Sequence, residues 1–229
     1  MSIIFNNLNH PHTKTLVKMC GFTQVKDIEF AIELNINAIG LVFYKQSPRY
    51  VDITLAEKLT QIIPKHIQIV GLFVNEDINI IKNICQKIRI DLVQLHGDEN
   101  TNYCNKFIHT LKLPYIKAIG INHTLNINRL KKDYISSQGL LLDSKTLEYG
   151  GSGTSFNWDL INKQEWLNRD KPLILSGGIN LKNMSKALCL QPYAIDFSSC
   201  IEISKGIKDH QKMQEIINQI SGDKLKAYE

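Results

Sequence analysis

The chain is short of several things. Among 229 residues there are only five cysteines, six prolines, thirteen glycines and two tryptophans. The cysteines, Cys20, Cys85, Cys104, Cys189 and Cys200, are odd in number and form no CxxC pair. Neither a disulfide framework nor a structural zinc site is expected, and a reducing cytoplasm is the natural compartment. So little glycine and proline excludes collagen-like and low-complexity chains, and 43% hydrophobic residues exclude disorder. Long apolar runs are also missing. The longest, near Ala38–Tyr44 and Ile67–Val74, fall well short of the ~18 residues that span a membrane. The opening MSIIFNNLNHPHTK has neither a basic region nor a long apolar core, so it does not read as a signal peptide. Charge of one sign is scarce as well. Lys and Arg number 27 against 22 acidic residues, a net +5 spread along the chain, so no nucleic-acid interface is expected. An anionic small molecule suits that charge equally well.

What is present is a repeating alternation. Short apolar runs occupy Leu16–Cys20, Ala38–Phe43, Ile67–Val74, Asp91–His96, Tyr115–Ile119, Gly139–Asp143, Pro172–Ser176 and Tyr193–Phe197. They are rich in Val, Ile and Leu and apolar on both faces, as strands of a parallel sheet covered by helices must be. Between them lie amphipathic stretches. Gln24–Leu34 sets Val25, Ile28, Ala31 and Ile32 on one face with Thr23 as its cap. Thr54–Ile63 stops at Pro64, Asp77 opens a helix through Ile84 and Ile88, and Asn180–Leu190 and Asp209–Ile220 each start at a capping residue. Eight strand–helix units predict an α/β fold, a single (β/α)8 TIM barrel over residues 16–229, after a tail over 1–15. An open doubly wound sheet is the rival, but CGFTQ after the first strand lacks its glycine fingerprint.

In such a barrel the chemistry sits at the C-terminal strand ends. Those positions carry Cys20, Arg49, His96, Asp143, Ser176, Gly177, Gly178, Asp196, Ser198 and Ser199. The SGG after strand seven, the DFSS of strand eight and the YGGSGT after strand six, with Gly153, predict backbone donors around a phosphate. Glycine is also the default turn residue, so tight turns are the plainer reading of any one of them. Cys20 at a strand end could be a thiolate base, its pKa lowered by nearby positive groups, whereas Cys85, Cys104 and Cys189 read as small buried hydrophobes. Asp143 ends the apolar strand GLLLD, where burial could raise its pKa and keep it protonated as a general acid; capping a turn is the simpler alternative. Arg49 could clamp a carboxylate bidentately or be a solvated surface residue. His96 could donate to a ligand or be a satisfied strand-end histidine.

The segments KMCGFTQVKDIEFAIELNINAIGLVFYKQSPRYV, GLFVN, VQLHGDE, LLDSKT, GGSGTSFNW, LILSGGIN and DFSSCIE, in this order from Lys18 to about Asp209, resemble the phosphoribosylanthranilate isomerase family of tryptophan biosynthesis. The resemblance implies an Amadori rearrangement of a phosphorylated sugar bearing an anthranilate moiety, with no metal or cofactor. It implies Asp143 as the acid opening the furanose ring and Cys20 as the base at C2. It further implies Arg49 facing the anthranilate carboxylate, Asp196 near its amine, and binding roles for His96, Gly153, Gly177, Gly178, Ser198 and Ser199. The chain departs from the family at Cys200, where a glycine usually follows the serine pair; a side chain there could crowd the phosphate loop. The histidine-pathway isomerase on the same barrel places Asp at position 20, and a phosphate-binding module without activity is the non-enzymatic alternative. No membrane partner is expected. A monomer is the default, with a homodimer open.

Overall fold

The structure is a computed structural model that describes residues 15–121, 125–144, 156–161 and 171–226. Among the described residues eight strands form the barrel: β1 (Leu16–Cys20), β2 (Ala38–Val42), β3 (Gln68–Phe73), β4 (Leu92–Leu95), β5 (Tyr115–Ile121), β6 (Gly139–Ser144), β7 (Leu173–Leu175) and β8 (Ala194–Phe197). They pair in parallel in sequence order, and β1 closes onto β8 with Lys18 opposite Asp196. Each coincides with an expected apolar run to within two residues at either end.

Closure follows from the two apolar faces. Side chains alternate across a strand, so even-numbered residues of β1 point inward and odd ones outward. Leu16, Ala38, Val70, Leu92, Leu141 and Ile174 fill the floor of the barrel, while Val17, Met19, Ile39 and Leu41 join the larger core beneath the helices. Burying each large aliphatic side chain contributes roughly 1.5–3 kcal/mol, so both layers stabilise the ring.

Among the described residues the α-helices are α1 (Val25–Glu33), α2 (Ile53–Gln61), α3 (Ile78–Lys87), α4 (Thr101–Leu111), α5 (Ile127–Asp133), α6 (Met184–Cys189) and α7 (His210–Lys226). Asp52, Asp77 and Asn100 cap α2, α3 and α4 by accepting from Leu55, Asn79 and Tyr103 backbone N–H. Two expectations are corrected. Thr23 does not cap α1; its hydroxyl donates to the Gly206 carbonyl, and Asp27 of the first turn, fully buried, accepts from the Lys208 backbone N–H and pairs with His210. The expected helix from Asn180 begins only at Met184, because the Asn180 side chain accepts from the Lys182 N–H in a local turn.

After β8 the chain makes a short 3₁₀ turn (Ser199–Ile201) and an antiparallel hairpin, β9 (Glu202–Ser204) and β10 (Ile207–Lys208), before α7. The sequence reading did not foresee this hairpin. No helix among the described residues is long and apolar enough to cross a membrane.

Candidate active site

Cys20 is the last residue of β1, and Asp143 and Asp196 are the last but one of β6 and β8; all three have the inward parity and line one cavity of about 470 Å³ at the C-terminal mouth. That is within the usual range for small-molecule sites, about 300–1,000 Å³. Its wall includes every described residue nominated above: Cys20, Arg49, His96, Asp143, Gly177, Gly178, Asp196, Ser198 and Ser199. Gly153 lies outside the described residues.

Cys20 ends β1, with its side chain lying over the Cα of Gly40 on β2. A Cβ built at residue 40 would fall 2.5 Å from the sulfur, so glycine is what leaves room for the thiol. Burial pushes the thiol above its ordinary value, with Lys18 pulling it down, Asp196 pushing it up and Lys208 pulling it down. The expectation of a lowered thiol is therefore corrected: the positive groups are present, but removal from water outweighs them.

Asp143 is 6% exposed and accepts from the Ser144 backbone N–H at 2.7 Å. Across the cavity the Nε2 of His96 stands 3.5 Å from Asp143 Oδ2. The other ring nitrogen of His96, Nδ1, pairs with the Gln94 side-chain amide at 2.6 Å, which orients the ring so that Nε2 faces Asp143. Gly177 holds φ +79°, and a Cβ there would fall 2.5 Å from Asp143 Oδ1. Its glycine thus serves the carboxyl group of the neighbouring strand as well as its own turn.

Asp196 lies opposite Lys18 and accepts from its Nζ at 2.8 Å inside the barrel wall. Burial would lower the Lys18 ammonium, but Asp196 and the Cys20 sulfur hold it above its ordinary value.

Arg49 is buried and lines the cavity, yet its Nε and Nη2 donate to the two carboxylate oxygens of Glu202 at 2.8 and 2.7 Å. The anticipated open fork is therefore already closed on a residue of β9. Three N–H groups remain for anything in the cavity. Glu202 also accepts from Lys208 Nζ at 2.9 Å, and that ammonium donates to the Cys20 carbonyl at 2.6 Å.

Cys200 occupies the 3₁₀ turn without left-handed backbone, so the side chain meets no conformational penalty there. It stands in the cavity wall, packed partly against the core, and burial pushes its thiol up to about 12. All five cysteines are free thiols.

Sequence reasoning missed Lys18, Gln94, Glu202, Lys205 and Lys208. Lys18 carried a signal that went unread: a cation inside a run that is otherwise wholly buried needs a partner. Glu202 and Lys208 had none, because what ties their pair to the site, Arg49 and the Cys20 carbonyl, is distant in the chain.

A closed parallel barrel with a thiol, two carboxyls and a histidine around one polar mouth defines a (β/α)8 barrel equipped for proton transfer. Comparison with known proteins makes the assignment specific. A family described as N-(5'-phosphoribosyl)anthranilate (PRA) isomerase matches residues 17–219. The N-(5'-phosphoribosyl)anthranilate isomerase of Dechloromonas aromatica is 38% identical over 205 residues, covering 89% of this chain and 95% of that protein. Among solved structures, the phosphoribosyl anthranilate isomerase of Thermus thermophilus superposes with a TM-score of 0.81 at 27% identity, over 91% of this chain and 99% of that one. Another, solved in complex with reduced 1-(o-carboxyphenylamino)-1-deoxyribulose 5-phosphate, gives 0.77 at 32% identity with the same coverage. The chain belongs to the N-(5'-phosphoribosyl)anthranilate isomerase family.

Proposed function

We propose that the chain catalyses the Amadori rearrangement of N-(5'-phosphoribosyl)anthranilate to 1-(o-carboxyphenylamino)-1-deoxyribulose 5-phosphate in tryptophan biosynthesis. The observation that carries the reading is the pairing of Cys20 and Asp143 in one cavity, on a chain of this family.

In this reading Asp143 gives its proton to the furanose ring oxygen. The C1–O bond breaks as the anthranilate nitrogen lone pair forms a Schiff base to C1. The Cys20 thiolate then takes the proton from C2, leaving an enolamine that tautomerises to the ketone. Atoms balance within the substrate: one C–O bond opens, and what the protein supplies is proton transfer alone. A group positioned for such a transfer contributes typically about 10²–10⁴-fold.

Gly177, Gly178, Ser198 and Ser199 hold the phosphate in this proposal, with Gly153 as a further donor. Asp196 sits near the anthranilate amine. Arg49 offers its remaining N–H groups to the carboxylate while Glu202 fixes the guanidinium plane, and His96 steadies Asp143. A fixed phosphate keeps C1 and C2 in register with the two proton-transfer groups. The reading includes a barrel domain over 16–229 after a tail over 1–15, and a cytoplasmic setting, which the free thiols suit.

Turnover followed by loss of the substrate's anthranilate fluorescence tests the proposal. Wild-type protein converts the substrate, and Cys20→Ala and Asp143→Ala each lose most turnover with an unchanged circular dichroism spectrum. Near-normal turnover in either variant would sink the assigned roles.

A further inference from the structure

The proposed substrate carries two anionic ends, a phosphate and an aromatic carboxylate, and the cavity wall offers few cations to meet them. Among the described residues that line it, Arg49 and Lys205 are the only lysine or arginine. They differ in what they have left to give. Arg49 is forked onto both carboxylate oxygens of Glu202 at 2.8 and 2.7 Å, so its charge is already faced by an opposite one. Lys205 is exposed, and no described carboxylate pairs with it.

Lys205 stands at the turn of the β9–β10 hairpin, and that turn is fixed to the mouth of the barrel. Next to it Gly206 holds φ +87°, and its carbonyl accepts from the Thr23 hydroxyl on the loop after β1. A Cβ at residue 206 would fall 3.2 Å from the Pro48 carbonyl oxygen, so the turn lies against the segment that carries Arg49. Both arms are tied down as well: Glu202 of β9 holds Arg49, and Lys208 of β10 donates to the Cys20 carbonyl at 2.6 Å. One hairpin thus orients Arg49 from its first strand and brings a second cation to the same side of the cavity from its turn. The proposed phosphate donors follow β7 and β8 instead.

We propose that Lys205 is a specificity-determining residue for the carboxylate end of the substrate: Arg49 sets the geometry, and Lys205 supplies the countercharge that Glu202 has taken from Arg49. The proposal deepens the isomerase reading and rests on it for the ligand. An ammonium at an open rim is screened by water and salt, so its contribution is modest and falls with ionic strength.

Equilibrium binding by calorimetry tests it with two unreactive probes. One is reduced 1-(o-carboxyphenylamino)-1-deoxyribulose 5-phosphate, and the other is the same compound with an unsubstituted phenyl ring. At low salt Lys205→Ala weakens binding of the first about two- to fivefold. Lys205→Glu weakens it about tenfold, because repulsion replaces attraction, and Lys205→Arg stays near wild type. The second probe binds Lys205→Ala and wild type alike. At about 1 M salt, where the Debye length is about 3 Å, the gap between wild type and Lys205→Ala closes. With substrate, the loss in Lys205→Ala falls on KM rather than on kcat. Unchanged affinity of Lys205→Ala for the carboxylated probe at low salt overturns the proposal. Equal weakening of both probes also overturns it, since the lysine would then serve the phosphate. Wild-type protein that binds the carboxylated probe without turning over substrate would defeat the proposed function, while normal turnover beside unchanged affinity in Lys205→Ala would defeat the role of Lys205 alone.

Discussion

Two buried lysines of the barrel invite comparison. Lys117 on β5 pairs with Glu99 at 3.0 Å and also donates to the carbonyls of Gly97 and Ala118 at 2.7 and 2.8 Å. Glu99 in turn accepts the backbone N–H groups of Asn75 and Gly97. The ammonium and carboxylate are enclosed by backbone, and the pair ties β5 to the loops after β3 and β4. Lys18 on β1 has the same burial and the same kind of partner, but it sits on the inner face, beneath a thiol and a cavity. One pair is enclosed by backbone groups; the other lies in the barrel interior, next to residues of the cavity wall. Burial and pairing alone do not tell a structural charge from a working one. Which face of the barrel wall the pair occupies is what separates these two.

The largest expected effect lies on the open side. Cys20→Ala and Asp143→Ala each lower kcat by about 10²–10⁴-fold with urea midpoints near wild type. On the enclosed side, Lys117→Met leaves Glu99 buried and unpaired. Unfolding in urea should show a loss of about 3–5 kcal/mol, while kcat of the folded variant stays near wild type. A large loss of kcat in folded Lys117→Met would dissolve the distinction between the two pairs.

Gly177→Ala should cost about 1–2 kcal/mol from its left-handed backbone. Because the added Cβ meets Asp143 Oδ1, it should also depress kcat several-fold more than KM changes; steady-state kinetics decides this. The smallest effect concerns the cluster behind the thiol. Burial would raise the Glu202 carboxyl, but Arg49 and Lys208 hold it below its ordinary 4.5. A depressed carboxylate stabilises the fold above its unfolded pKa and loses that contribution as pH falls through the folded value. Wild-type stability should therefore drop as pH goes below 4.5, and Glu202→Gln should show a flatter acid limb in denaturant titrations at successive pH values.

The strands were readable because both-face apolarity has no other economical explanation in a chain of this size, and parity alone sent Cys20, Asp143 and Asp196 to one mouth. Local chemistry at a helix start is legible in the sequence where the cap lies within three residues, as at Asp77. It failed at α1, where Thr23 bonds Gly206, 183 residues away. Arg49 was nominated rightly as a cavity residue, but its partner is 153 residues distant in a hairpin too short to show a periodicity. Desolvation is likewise invisible to position: the sequence placed cations near Cys20 and could not weigh them against burial.

The division of labour between strand ends β1 and β6 is the centre of this account. Single-turnover rates with substrate deuterated at C2 test it most directly. With Asp143→Ala, ring opening becomes the slow step and the isotope effect at C2 disappears. With Cys20→Ala, proton removal from C2 is slow and the isotope effect is fully expressed. The opposite pattern, or equal isotope effects in both variants, would contradict the assignment of acid to Asp143 and base to Cys20.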